Sequence, residues 1–233
     1  MELTMQRVMA DLDNSSSATC IARNTCWIQA SLSRYVLSFG MSTSARFASE
    51  SMPFRIRHTN VRDVKIVEPH IGHDARGLIF DCFDQEWFEQ NIARGHAFVQ
   101  EHHMVFSRNV LTGLHYQIQQ PRGLLLRVVN GDAFCVALDL RRWSVTFGRW
   151  VGERISSANN WQIWIPPGFA YGFHVRSEVA EVLMKATTKR NAAFERTVCW
   201  NDPVVNIAWE LKAEPLVVAE SATCTGFPVA EVY

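Results

Sequence analysis

Residues 110–140, VLTGLHYQIQQPRGLLLRVVNGDAFCVALDL, hold a single histidine, His115, in a run that is otherwise largely apolar. An imidazole with an ordinary pKa near 6.5 takes or gives a proton around neutral pH, which makes His115 a candidate general base. The bland alternative is a core histidine satisfied by a backbone carbonyl. A second reactive group, the phenol of Tyr171, follows the Pro166–Pro167–Gly168 turn in WIPPGFAYGFHV, a rigid loop of the kind that shapes a pocket mouth. A guanidinium can grip a phosphate through two parallel hydrogen bonds, so Arg76 in DARGLIFD and Arg127 in LLLRVV have either that role or a structural one, which residue type alone leaves open. His102 and His103 are adjacent, so a strand sends them to opposite faces and they cannot easily share a metal. Of these types, the imidazole is the one suited to proton transfer near neutral pH.

Such groups need a scaffold, and the pattern around them is one of strands. VRDVKIVEP alternates apolar and polar residues, and GHDARGLIFDCF reads as a turn into another strand. DQEWFEQNI is the one clear helix: Asp84 can cap it, acids fill its first turn, and Trp87, Phe88 and Ile92 fall at helical spacing. Short strands are then expected at 97–105, 110–117, 124–129, 132–139, 147–155, 162–165, 171–176, 180–187 and 196–199. Asn130–Gly131 between two apolar runs predicts a two-residue hairpin, with residue 126 facing 135 and residue 124 facing 137. Leu124, Leu126, Cys135 and Ala137 would then share one apolar face, and strand parity puts Arg127 on the other. Many short strands with one helix indicate an all-β sandwich or barrel, jelly rolls among them.

Composition sets the outer limits. Of 233 residues 48% are hydrophobic, with 14 Phe and 8 Trp, enough for a large core. Lys+Arg and Asp+Glu balance at 23 each, which gives no basis for nucleic-acid or anionic-membrane binding. No apolar run approaches the roughly 20 residues that span a bilayer. Cys20, Cys26, Cys82, Cys135, Cys199 and Cys224 are scattered without a CxxC pair, so reduced thiols and a cytoplasmic location are expected rather than a disulfide framework. Residues 1–51 stand apart. They hold Arg23, Arg34 and Arg46, many serines, and no acid between Asp13 and Glu50. This bias is that of a disordered extension, a targeting segment, or a start assigned upstream of Met41 or Met52. The expected domain is 52–233.

Several motifs together resemble one family. GLHYQ (113–117), LLLRVVNGDAFCVALDLR (124–141), TFGRWVG (146–152), WIPPGFAYGF (164–173) and WNDP (200–203) are similar in order and spacing to the dTDP-4-dehydrorhamnose 3,5-epimerases. VEPHIGHDARGLIFDCF and FVQEHH are similar to that family's opening strands. The resemblance implies a cupin-type jelly roll (a double-stranded β-barrel), a homodimer, no metal or other cofactor, and a dTDP-linked 4-keto-6-deoxy sugar as substrate. The metal-free expectation has its own support. Metal-binding cupins present two histidines one residue apart and a third after the Pro-x-Gly loop; here the pair is His115 and Gln117, and Tyr171 holds the later position.

In the family the histidine of GLHYQ removes a proton next to the C4 ketone, which makes His115 the base. The resemblance further assigns substrate contacts to Arg76, Asp81 (in place of glutamate), Gln100, His102 (in place of asparagine), Thr112 (in place of the arginine that precedes the motif), Gln117 and Arg127. The family's enolate-binding lysine falls on Leu124, its reprotonating tyrosine on Met184, and its histidine-polarising aspartate on Ser221. Tyr171 is the expected substitute acid. Losing one oxyanion-type stabiliser costs about 10²–10³ in rate and losing a general acid about 10²–10⁴ more, so full double epimerisation is not expected. Three readings follow: a re-tooled epimerase or isomerase, an inactive sugar-nucleotide-binding homologue, and a structural partner of an active relative.

Overall fold

Burial alternates residue by residue along QEHHMVFS (β5, Gln100–Ser107), turning His102, Met104 and Phe106 inward and His103 and Val105 to solvent. The same period-two logic organises the rest of the chain, seen in a computed structural model that describes residues 52–218 and 224–233. The extension 1–51 and Ser221 lie outside the described residues. The chain enters through β1 (Phe54–His58), β2 (Lys65–Pro69), β3 (Gly72–Asp74) and β4 (Gly77–Ile79), followed by helix α1 (Gln85–Asn91). After β5 come β6 (Val110–Gln117), β7 (Leu124–Asn130), β8 (Asp132–Asp139), β9 (Trp150–Ser156), β10 (Gln162–Ile165), β11 (Phe169–Val175), β12 (Val179–Ala186), β13 (Glu195–Thr197) and β14 (Leu216–Val217).

Two sheets face each other in a jelly-roll sandwich. One runs β1-β2-β10-β7-β12-β5; the other runs β13-β6-β11-β8-β9, with β14 parallel to β6. β3 and β4 form a separate exposed hairpin. Between the sheets lie Leu124, Leu126, Ile163, Val182 and Met184 from the first and Cys135, Ala137 and Phe173 from the second. The outer face of the second sheet, carrying Leu114, Tyr116 and Leu138, is covered by Val198, Val205, Trp209 and Ala230 of the C-terminal segment. On the first sheet's outer face, α1 lays Trp87, Phe88 and Ile92 over Val67, Leu125 and Trp164. Asp84 caps that helix as expected, its carboxylate accepting from the Trp87 amide at 2.9 Å. Burying a side chain such as Phe88 contributes about 2–3 kcal/mol.

Two expectations are corrected. Asn130–Gly131 is not the tip of a hairpin: β7 pairs with β10 and β12, whereas β8 pairs with β9 and β11. The dipeptide is a corner that carries the chain from one sheet to the other. Gly131 has φ +84°, and a Cβ there would lie 2.1 Å from the Val179 carbonyl oxygen. The predicted apolar face still exists, because Leu124, Leu126, Cys135 and Ala137 meet across the sandwich instead of along a ladder. The second correction concerns the thiols. Cys199 and Cys224 are disulfide-bonded, tying the final segment to the end of β13, while Cys82 and Cys135 are free. Val198 bridges Thr225 beside them, a pairing between segments that spacing alone does not reveal.

Candidate active site

The environment of His115 begins with a glycine. Gly113 has φ +101°, and a Cβ on it would sit 2.5 Å from the Tyr171 carbonyl oxygen and 2.6 Å from the Gly172 Cα. β6 and β11 approach this closely because both positions lack side chains, and the ladder shifts register between Tyr171 and Phe173. The alternation of β6 slips by one residue there. Leu111, Leu114 and Tyr116 face the outer core, and Thr112 and His115 stand together on the inner face. Tyr171 is paired directly opposite His115 on one side and Thr197 of β13 on the other, so all three share that face.

The imidazole is held from both ends. Thr112 Oγ1 lies 3.1 Å from Nε2, and Thr197 Oγ1 lies 3.2 Å from Nδ1. The ring is half-buried and looks into a cleft of about 410 Å³ between the sheets. Its own wall is Thr112, His115, Tyr171 and Thr197; the facing wall is His102, Met104, Phe106 and Met184. Arg122, Arg190, Glu195, Arg196, Val218 and Thr225 complete the lining. A smaller recess that shares His115, Arg122, Tyr171 and Glu195 with the cleft is further bounded by Tyr116, Gln117, Leu124 and Phe169.

Charges in the cleft are organised around Arg122 and Glu195. Arg122 is only 7% exposed; its Nη2 lies 3.4 Å from His102 Nε2, and its Nε donates to the Thr188 carbonyl at 3.3 Å. Burial, and then Arg122, press His102 below the ordinary histidine value, so it is neutral at pH 7 with Nε2 accepting. Burial pushes the Tyr171 phenol up, partly opposed by Arg122, and the group therefore carries its proton at neutral pH. Arg190 donates to both oxygens of Glu195 at 2.7 and 2.8 Å and holds that carboxyl below its usual range.

The expected site residues divide sharply. His115, Tyr171, Thr112, His102, Leu124 and Met184 converge on the cleft and its recess. Gln117 borders the recess, and its amide is committed to backbone: it donates to Gln120 and Lys189 carbonyls and accepts from the Asn191 amide at 2.7 Å. Gln100 accepts from the Arg190 amide at 2.9 Å and so supports the rim from behind. Arg76 is 78% exposed on the β3–β4 hairpin and paired with Asp74; Asp81 is exposed nearby. Arg127 points to the outer face, its guanidinium 5.1 Å from the centre of the Phe80 ring. Arg122, Arg190, Glu195 and Thr197 were not anticipated. The basic run in KRNAAFER (189–196) was the only available signal for the rim. Among the described residues no group of three or more His, Cys, Asp or Glu side chains could hold a metal ion.

The sequence model of the dTDP-4-dehydrorhamnose 3,5-epimerases matches residues 58–224. The chain belongs to that family. The dTDP-4-dehydrorhamnose 3,5-epimerase of Pseudomonas aeruginosa is 44% identical over 173 residues, 74% of this chain and 96% of that protein. That of Neisseria gonorrhoeae is 45% identical over 159 residues, 68% of this chain, which spans about half (48%) of that longer relative. Among solved structures, the dTDP-6-deoxy-D-glucose-3,5-epimerase of Legionella pneumophila in complex with dTDP-4-keto-L-rhamnose superposes with a TM-score of 0.74. The two are 36% identical, over 76% of this chain and 94% of that one. A 3'-monoepimerase from Streptomyces bikiniensis, in complex with dTDP-quinovose, superposes with a TM-score of 0.70 at 28% identity, covering 75% of this chain and 89% of that one. These likenesses cover the jelly roll that carries the cleft. Of the positions at which the resemblance implies a substitution, Thr112, His102 and Met184 line the cleft and Leu124 borders the recess.

Proposed function

We propose that this member of the epimerase family, through residues 52–233, acts on a dTDP-linked 4-keto-6-deoxyhexose by removing a proton next to the C4 ketone. His115 is the base. The observation that carries the reading is the placement of His115 and a protonated Tyr171 side by side on one wall of the cleft, with both imidazole nitrogens met by threonine hydroxyls. Arg190 and Arg196 at the rim suit the diphosphate. A base and a phenol on the same wall reach the sugar from the same side. Proton exchange at one α-carbon, C3 foremost, therefore outruns inversion, which needs a donor from the His102–Met184 wall.

Arg76 cannot be assigned to its own chain's cleft, and the proposal includes a homodimer in which the β3–β4 hairpin packs on a second copy. Leu78 and Ile79, 56% and 55% exposed on that hairpin, support it. Among the described residues no helix is long and apolar enough to cross a membrane. A cytoplasmic location, in keeping with a nucleotide-linked substrate, remains part of the proposal; the Cys199–Cys224 bond, uncommon in reducing compartments, stands against it.

Leu124 and Met184 favour a second reading, a module that binds the sugar nucleotide without turning it over. Incubation with dTDP-4-keto-6-deoxyglucose in deuterated buffer, read by proton NMR, separates the two. Loss of the C3 proton signal supports the enzyme; binding with no exchange makes the module the correct account.

A further inference from the structure

Enolate formation leaves a negative charge on the C4 oxygen, and preorganised electrostatic stabilisation of such a charge is usually the largest single contribution to the rate. Position 124, which borders the recess beside His115, offers only a leucine. Two residues earlier stands Arg122, buried to 7% exposure, bordering both the recess and the wider cleft. The other two arginines lie further out, with side chains 49% exposed at Arg190 and 40% at Arg196, each engaged with a glutamate. Exposure separates them: Arg122 is buried and shares the recess with His115, whereas Arg190 and Arg196 line only the wider cleft with much of their side chains in solvent. Resting on the function proposed above, we propose that Arg122 is the catalytic cation that stabilises the enolate oxygen, held in place by His102 and the Thr188 carbonyl.

The step balances without a co-reactant. The α C–H bond breaks, its proton passes to the His115 imidazole, its electron pair forms the C=C bond, and the carbonyl π pair moves onto O4. Arg122 donates hydrogen bonds to O4 and transfers no proton. Return of a proton, or a solvent-derived deuteron, from His115 or Tyr171 restores the ketone.

The test measures deuterium exchange at C3 of saturating dTDP-4-keto-6-deoxyglucose, together with dTDP affinity by calorimetry. In Arg122→Gln the exchange rate should fall about 10²–10³-fold while the dTDP Kd stays within about threefold. Arg122→Lys, which keeps the charge but not the fork, should fall by about tenfold at most. A second measurement needs no variant: infrared spectra of the wild-type complex should show the C4 carbonyl stretch at lower frequency than in the free sugar. Wild-type exchange in Arg122→Gln, a matching loss of dTDP affinity (a phosphate clamp), or an unshifted carbonyl band would each overturn the assignment. No exchange in the wild-type protein would instead remove the proposed function, and this assignment with it.

Discussion

His102 shows how one side chain's protonation is set by its neighbours. Its partner is a permanent cation, so the pair holds only while the imidazole is neutral. The unfolded residue titrates near 6.5 and the folded one lower, so between those values the unfolded chain binds the extra proton. The stability that neutral His102 contributes is therefore fully present above about pH 6.5 and is lost as pH falls below it. Urea unfolding at pH 7.5 and 5.5 checks this: the wild type should lose stability relative to His102→Asn at the lower pH. An unchanged difference would show that burial and the neighbouring Arg122 do not hold His102 below its ordinary value. At this scale the sequence was legible where a motif named the residue. His115, Thr112, Leu124 and Met184, which flanking matches anchor in the sequence, line the cleft or its recess. Thr197 and Glu195 were not, because they reach His115 only through the pairing of β13 with β6, some 80 residues away in the chain, a contact that local spacing does not encode.

The elements that aim the site depend on backbone more than on side-chain pattern. Alternation predicts β6 and β11 but not the slip at Gly113, which puts Thr112 and His115 on one face although they are three residues apart. Gly113→Ala adds a methyl against the Tyr171 carbonyl at a φ that side chains rarely adopt. Unfolding stability should drop by at least about 2 kcal/mol, and exchange should fall further than stability alone explains, because the register that pairs His115 with Tyr171 is disturbed. A variant as stable and active as the wild type would show that the close approach is not required. The corner at Gly131 teaches the complementary point. Asn-Gly is a sound turn signal, but a local signal cannot tell a hairpin from a crossing between sheets, because the choice belongs to the partners β10, β12, β9 and β11. Helix α1 was fully legible, since its cap and its apolar stripe are both local.

At the scale of the molecule, the jelly roll leaves one hairpin, β3–β4, without a core of its own and with apolar Leu78 and Ile79 in solvent. Light scattering at micromolar concentration should give about twice the chain mass. Leu78→Arg with Ile79→Arg should give a folded monomer, because exposed side chains cost the monomer within about 0.5 kcal/mol on substitution. A wild-type monomer would end the dimer proposal and any role for Arg76 in a neighbouring cleft. The sandwich as a whole was readable from strand count and spacing, whereas the Cys199–Cys224 tie was not, since it joins segments that only the finished fold brings together. Removal of a proton from a 4-keto sugar nucleotide by His115 is decided by deuterium incorporation at C3 in wild type and His115→Asn. The wild type should exchange, and the variant should be slower by at least about 10²-fold with dTDP affinity unchanged. Exchange in His115→Asn at the wild-type rate would contradict the claim.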